Sequence, residues 1–280
     1  MAVGQSLSRG LADRVILELQ KERSGLIKVL RRAYARIPRK RSDVRSMVEE
    51  LKLAGEKASL AQVISHHPKW RWAAINAFLP VVGETGSGKS NRLVTFEIIR
   101  MQIQNERYTN IPVSTTVLGI QEHAIERLFL RLNVMSAAQV REEVHDSMCL
   151  SILLCAAALK LELKQVVLPT KSGAFLCSTV PEKKWLIAKT WLSATDQRDR
   201  VKEVAQAVLE TYEGYGGESG IAKWLSELPI NSDVRSIKVS ASLAERLGRF
   251  HWLRKQYAPR PDPEGEKWIN ARMQTLHSKI

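Results

Sequence analysis

The chain has 280 residues, a formal net charge of +14 and a hydrophobic fraction of 44%. These values allow a sizeable core in one large or two modest domains, and the positive excess favours a polyanionic partner over an anionic membrane surface. No apolar run reaches the roughly 18 residues of a membrane-spanning helix, and no secretory signal pattern opens the sequence, so we expect a cytoplasmic protein without a membrane partner.

The cysteines and paired histidines indicate neither disulfides nor a metal site. Cys149 and Cys155 lie in an apolar helical segment and Cys177 in a β-prone one. This odd, sparse set is typical of buried thiols in a reducing compartment. His66 and His67 are adjacent, so their side chains diverge on a helix or a strand. We therefore expect no bound metal.

The first predicted region, residues 1–72, is helical and basic. Apolar residues repeat at helical spacing up to Pro38, and a second helix follows. The densest group of positive charges in the chain lies here and comprises Arg45 and, before it, Arg31, Arg32, Arg36, Arg39, Lys40 and Arg41, of which we single out the last six. Such a group is either a solvated helix face or a surface that follows a phosphate backbone. The second interpretation makes these six residues candidate nucleic-acid contacts.

The segment just before residue 73 combines a predicted helix start with aromatic residues. Ser59 is a candidate N-cap for a short helix that reaches Ile64. Further on, Trp70 and Trp72 flank Arg71. Two tryptophans around an arginine either stack on bases or anchor a core, and the sequence leaves both interpretations open.

Residues 83–90 match the P-loop pattern, in which Gly83, Gly88, Lys89 and Ser90 occupy the fixed positions. In such a loop, backbone N–H groups cradle phosphates, the lysine reaches the terminal phosphates and the serine holds magnesium. The eight residues resemble the loop of P-loop NTPases. That resemblance implies ATP with Mg²⁺ as a ligand and defines one alternative function.

The segment after this loop favours a different structure. Val94, Phe96 and Ile98 alternate with polar residues, and a second alternating set follows with a one-residue slip. Period two with a slip predicts an amphipathic strand with a bulge, whereas a P-loop must open a helix. The glycine-rich residues then form a hairpin loop between two strands, and this is the interpretation we prefer.

Residues 113–132 predict a strand followed by a short helix that carries candidate catalytic groups. His123, Arg127 and Arg131 recur every four residues, so they share one stripe of the helix. A histidine aligned with two arginines combines a titratable base with anion-binding groups. We therefore name these three residues as candidate catalytic residues.

A long helical segment, residues 135–163, precedes three β-prone segments at Gln165–Pro169, Gly173–Val180 and Trp185–Ser193. The last segment alternates, and Lys189 and Thr190 lie on its two faces. Either residue can be the contribution of the sheet to a site shared with the preceding helix. Both join the list of candidate catalytic residues.

This order of elements across residues 113–192 resembles the metal-independent ribonuclease toxins of the barnase, colicin and RelE-like group. The resemblance implies RNA cleavage without a metal or cofactor. His123 would take the proton of the 2′-hydroxyl group, Arg127, Arg131 and Lys189 would stabilise charge on the phosphate, and Thr190 would orient it. The chain is far longer than a minimal toxin domain, and the acid for the leaving group is not assigned.

Taken together, the patterns predict an α+β fold with a central antiparallel sheet between helical N- and C-terminal regions. We divide the chain into residues 1–72, residues 73–195 with the candidate site, and a helical region at 196–280 whose terminal helices offer a protein-binding surface. The favoured function is a toxin- or defence-type ribonuclease acting on RNA. A P-loop nucleotide-binding protein and a non-catalytic basic subunit of a nucleic-acid complex are the alternatives.

Overall fold

A computed structural model describes residues 5–36, 39–84, 92–104, 107–108, 113–132, 136–227, 234 and 237–255. Its helices are α1 (Gln5–Tyr34), α2 (Arg41–Ala58), α3 (Glu122–Leu132), α4 (Ala137–Lys160), α5 (Asp199–Gly214), α6 (Gly217–Glu227) and α7 (Ala241–Gly248). Its strands are β1 (Ala61–His66), β2 (Trp72–Glu84), β3 (Arg92–Gln104), β4 (Arg107–Tyr108), β5 (Val113–Gln121), β6 (Gln165–Pro169), β7 (Gly173–Val180) and β8 (Trp185–Ser193). A short 3-10 turn, His251–Arg254, follows α7.

The strands form one sheet in the order β1-β2-β3-β5-β8-β7-β6, with the two-residue β4 pairing beside β3. The predicted α+β class, with a central sheet and helices on both sides of it in the sequence, is confirmed. The pairings are antiparallel except for β5 and β8, which run parallel from Leu118↔Leu186 to Ile120↔Ala188. The sheet therefore joins two antiparallel units, β1–β5 and β6–β8, along one parallel seam.

Helix α4 is the element around which this sheet curls. It contacts β1 at one edge and β6 at the other, as well as β5, β7 and β8 between them. Its central residues are apolar and small, and Leu150, Leu154 and Ala157 are completely buried. Ser136 caps its first turn by accepting a hydrogen bond from the backbone N–H of Gln139 at 3.3 Å. We call the sheet face that α4 covers the inner face.

Strands β2 and β3 are covered on both faces, which explains the slip in the apolar pattern of β3. Phe96 and Ile98 belong to the core on the inner face, whereas Met101 and Ile103 pack against α2 on the outer face. The predicted strand is confirmed, and its register with β2 is unbroken from Trp72↔Gln104 to Glu84↔Arg92. The sequence predicts the bulge where the apolar pattern slips, between Ile98 and Ile99. The register of β3 shifts instead between Phe96 and Glu97, in its pairing with β5, where Val117 of β5 is the extra residue.

The glycine-rich segment connects these two antiparallel strands. Residues 85–91, including Gly88, Lys89 and Ser90, lie outside the described residues, and Gly83 is near the end of β2. From Arg92 the chain continues as a strand of 13 residues. The connection is therefore the hairpin that the alternation predicts. A P-loop requires a helix at this point, because the helix N-terminus binds the phosphate, so this geometry argues against the nucleotide-binding alternative.

Two other local predictions need correction. The segment after Ser59 is strand β1, and Ser59 ends α2, where its backbone N–H and its hydroxyl group both donate to the carbonyl of Gly55. Apolar and polar residues alternate there over only a few positions, so the sequence pattern alone could not exclude a helix. In the region predicted to be helical, residues 196–280, the described α-helices end with α7 at Gly248, and residues 256–280 lie outside the described residues.

All three cysteines are free and buried, as predicted. Burial raises the pKa of each thiol, to about 12 at Cys155. These thiols therefore pack as small apolar groups instead of acting as nucleophiles. Among the described residues, none of the helices combines the length and the apolar content that crossing a membrane would take.

Candidate functional site

The candidate site lies where the parallel strands β5 and β8 meet the start of α3. β5 ends at Gln121 and α3 begins at Glu122, so His123 stands in the first turn of the helix. Ile120 is level with Ala188 across the parallel seam. The next residue of β8 is Lys189, which places it beside the end of β5. Topology thus brings the first helical turn and Lys189 to one edge of the molecule.

Lys189 owes its exposure to a β-bulge. In the pairing of β7 with β8, Leu176 is opposite Thr190 and Cys177 is opposite Ala188, so Lys189 is the extra residue. Because of the bulge, the next buried residue after Ala188 is Trp191, three positions later, and Lys189 faces solvent. Bulges commonly redirect a single side chain in this way. Thr190 is half-buried and paired with Leu176, so it is less accessible than Lys189.

His123 and Arg127 are in direct contact on the exposed stripe of α3. Arg127 Nε donates a hydrogen bond to His123 Nε2 at 3.1 Å. The proton of a neutral imidazole must then lie on Nδ1, which is 3.8 Å from Glu126 Oε2. The His123 side chain is 52% exposed, so a ligand can reach it.

The surroundings of His123 favour its neutral form. Partial burial lowers the pKa of His123 most, and the positive charges of Arg127 and Arg131 lower it further. A histidine with a lowered pKa is uncharged at neutral pH, and only the uncharged ring can accept a proton. The neutral ring can therefore act as a general base once the guanidinium group of Arg127 leaves its Nε2 atom.

Arg131 lies on the same stripe of α3, but it already forms an ion pair. Its Nη1 is 2.8 Å from Asp196 Oδ2 and donates a longer hydrogen bond, 3.4 Å, to the carbonyl of Trp191 on β8. Its side chain is 25% exposed. These contacts attach the end of α3 to β8 and its following turn. Arg131 thus positions the helix, and its charge is partly neutralised before any anion binds.

The sequence pattern missed two carboxylates of this site. Glu126 lies beside the His123 ring, and Asp196 holds Arg131. Glu126 is detectable as an i,i+3 neighbour on the helix. Asp196 is 65 positions after Arg131, and only the parallel pairing of β5 with β8 brings the two together.

The six predicted nucleic-acid contacts at the end of α1 and the start of α2 are all exposed. Glu50 partly neutralises two of them, since its carboxylate is 2.9 Å from Arg36 Nη1 and 3.9 Å from Arg32 Nη2. Asp43 accepts hydrogen bonds from the backbone N–H groups of Arg39 and Lys40, and this lowers the pKa of Asp43. The side chains of Arg31, Arg39, Lys40 and Arg41 still point into solvent, as a polyanion-binding surface requires.

A second polar site, which the sequence did not indicate, lies in a cleft of about 800 Å³ between α2, β1, α4 and α6. His145 Nδ1 lies 3.2 Å from Asp146 Oδ1, and the Tyr212 hydroxyl group donates to that same oxygen at 3.0 Å. Glu218 Oε1 lies 4.0 Å from His145 Nε2. The hydrogen bond with Asp146 raises the pKa of His145 above its ordinary value. His145 therefore belongs to a polar group that connects α4 with α5 and α6. Its raised pKa favours the charged form of the ring.

Comparison with known proteins finds no matching family model, no matching curated protein and no matching solved structure. The resemblance to ribonuclease toxins therefore depends on the order of the elements and on the site residues alone.

Proposed function

We propose that the protein is a metal-independent endoribonuclease of the toxin or defence type, with His123 as its general base. The observation that supports this most is the contact between Arg127 Nε and His123 Nε2 on an exposed helix edge, together with the lowered pKa of the imidazole. Lys189 is exposed at the bulge of β8, beside the end of the strand that leads into α3. A base in contact with a guanidinium group, with a further cation on the neighbouring strand, matches the needs of phosphodiester transesterification.

In the proposed reaction, His123 Nε2 takes the proton of a 2′-hydroxyl group, and the resulting oxygen forms a bond to the adjacent phosphorus. The bond from phosphorus to the 5′-oxygen breaks, and that oxygen takes a proton from water. The products are a 2′,3′-cyclic phosphate and a 5′-hydroxyl end. Arg127 must first leave the imidazole, and the phosphate provides the acceptor to which its guanidinium can move.

The first prediction is that His123→Ala removes RNA cleavage. A positioned general base contributes about 10²–10⁴-fold to a rate, so the loss should be at least about a hundredfold. The measurement is gel analysis of total RNA incubated with pure protein, with and without a chelator, and with detection of cyclic phosphate ends. His251→Ala is the matched control, because it removes another exposed histidine from a distant 3-10 turn.

The pH profile separates this role from a structural one. The acidic limb of kcat/KM should lie below the ordinary histidine value of about 6.5, because the pKa of His123 is lowered. Arg127→Ala should move this limb upward, since it removes a neighbouring positive charge. Cleavage that persists in His123→Ala, or a limb unmoved in Arg127→Ala, would show that His123 is not the base.

A second candidate is the non-catalytic basic subunit, and the exposed arginines around residues 31–41 favour it. Under this alternative, the pure protein binds RNA with a steep dependence on salt and cleaves nothing. Joint substitution of Arg31, Arg39 and Arg41 by glutamine should then weaken binding to all sequences equally. The same assay of total RNA therefore distinguishes the two candidates.

A further inference from the structure

The turn between β1 and β2 holds an aromatic pair in an unusual backbone conformation. His66 and Trp70 stack with their ring centroids 4.0 Å apart and their planes 5° from parallel. Trp70 has φ +53°, a left-handed conformation that a bulky residue rarely adopts. Strain of this kind persists only where the surrounding structure imposes it, and it is frequent at binding sites.

Hydrogen bonds within the turn maintain this conformation. The Trp70 backbone N–H donates to the carbonyl of His67 at 2.7 Å, and the His67 N–H donates to the carbonyl of Trp72 at 2.9 Å. The Lys69 N–H donates to His67 Nδ1 at 3.0 Å. His66 is exposed and Trp70 is half-buried, so the stacked rings lie at the surface on a rigid support.

Four exposed cations lie on the turn that carries the stacked rings and on the start of α2. The guanidinium carbon of Arg45 lies over the Trp70 ring, 5.9 Å from its centroid. Lys69 and Arg71 are exposed on either side of Trp70, and Arg41 is exposed one helical turn before Arg45. His66 and Trp70 also line the cleft that contains His145, together with the carboxylates of Glu49, Glu56, Glu142, Asp146 and Glu218. Arg45 is the cation that contacts the aromatic pair directly.

We propose that this surface, formed by Arg41, Arg45, His66, Lys69, Trp70 and Arg71, binds single-stranded RNA or DNA. An unpaired base extends the stack on the exposed His66 ring, and the four cations bind the flanking phosphates. Stacking platforms combined with basic residues are the common way in which proteins hold single strands, because every base has a π-face. A duplex keeps its bases paired and cannot use the stack. The proposal does not depend on cleavage at His123.

The test is fluorescence anisotropy with labelled twelve-nucleotide oligo(U), oligo(dT) and the oligo(U)·oligo(A) duplex. To prevent cleavage, the measurement uses the His123→Ala chain. Trp70→Gly removes the ring but tolerates the positive φ, so we expect the turn to survive. Loss of one stacked base should weaken single-strand binding about tenfold, and Trp70→Phe should recover most of it. The oligo(U) and oligo(dT) arms distinguish RNA from DNA.

Two further variants keep the test decisive. His66→Ala removes the exposed ring, and Arg45→Gln should lower the slope of log K against log salt by about 0.7, the value for one phosphate of a single strand. Arg200→Gln is the matched control, because Arg200 makes the same kind of contact with Trp252, at 5.1 Å, elsewhere on the surface. Unchanged binding in both His66→Ala and Arg45→Gln, or a duplex bound as tightly as a single strand, would overturn the proposal.

Discussion

His123 and His145 carry the same side chain, yet their surroundings move their pKa values in opposite directions. Burial and two arginines lower the pKa of His123, whereas a hydrogen bond with Asp146 and the charge of Glu218 raise the pKa of His145. Compared with an ordinary histidine, the first ring therefore favours the form that accepts a proton and the second the form that carries one. The difference makes His123 a candidate base and His145 a connector between helices.

The raised pKa of His145 predicts a pH-dependent contribution to stability. Protonation is favoured in the folded state, so the stabilisation is fully present below the ordinary value of about 6.5 and is lost as pH rises through the raised value. His145→Gln should therefore reduce the free energy of unfolding more at pH 5.5 than at pH 8.5. Urea unfolding at the two pH values measures this difference.

Tyr212→Phe is the control for this prediction. It removes a hydrogen bond to the same Asp146 carboxylate but no group that titrates between these pH values. Its cost should be the same at both. An equal loss for His145→Gln at pH 5.5 and 8.5 would contradict the raised pKa.

At the scale of residues, the sequence pattern predicts which groups share one element, but it does not predict which groups from different elements come together. The four-residue spacing placed His123 and Arg127 on one stripe, and the two side chains do form a hydrogen bond. It could not show that Asp196 pairs with Arg131, nor that Asp146, Tyr212 and Glu218 surround His145. Those partners belong to other elements, and only the packing of α3 on β8 and of α4 on α5 and α6 brings them together.

At the scale of elements, β-prone runs bounded by turn residues were sufficient for three strands, and local periodicity was misleading where the apolar residues of one strand change faces. The predicted bounds of β6, β7 and β8 agree with the structure. In β3 the apolar residues change faces, because α2 covers one end of the strand and the inner core the other, and the sequence pattern mimicked a bulge. The parallel pairing of β5 with β8 leaves no local signal, since about 60 residues separate the two strands.

A buried carboxylate joins α4 to the turn between β6 and β7, and its loss should be costly. Glu143 is 6% exposed and accepts hydrogen bonds from Thr170 Oγ1 at 2.5 Å and from the Ser172 N–H at 2.8 Å. Thr170 Oγ1 in turn accepts from Trp191 Nε1 at 3.1 Å. Glu143→Ala leaves buried donors unpaired, so we expect a loss of about 2–3 kcal/mol in the free energy of unfolding.

Chemical denaturation followed by circular dichroism measures this loss, and two variants calibrate it. Glu143→Gln keeps an acceptor oxygen and should cost less than Glu143→Ala. Glu142→Ala is the matched control on the same helix, because Glu142 is exposed and pairs with Lys171 at the surface, where solvent weakens an ion pair. Equal small losses at residues 142 and 143 would show that the buried hydrogen bonds do not stabilise this junction.

At the scale of the whole molecule, one apolar core crosses the boundaries that composition suggested. The main cluster of buried residues extends from Ala12 in α1 to Leu253 in the 3-10 turn and includes both halves of the sheet. Strand β1, within the predicted region 1–72, pairs with β2 in the next region. The apolar residues of each region are therefore buried in part by residues of another region.

Because the core is shared, we expect residues 73–195 not to fold when expressed alone. Without α1 and α2, the outer face of β2 would expose Ala73, Ile75, Ala77 and Leu79, which are all at most 4% exposed in the full chain. Without β1, the edge of β2 would leave a row of unpaired backbone groups, which promotes aggregation. Residues 1–255, which keep every described contact, are the matched control and should fold.

The same argument predicts a single cooperative transition for the full chain. Circular dichroism reports the helices, and tryptophan fluorescence reports the surroundings of seven tryptophans spread along the sequence from Trp70 to Trp268. If both follow the same urea curve, the regions unfold as one unit. Separate midpoints, or a fragment of residues 73–195 with native-like near-UV circular dichroism, would mean that the curled sheet holds its own core without the terminal helices.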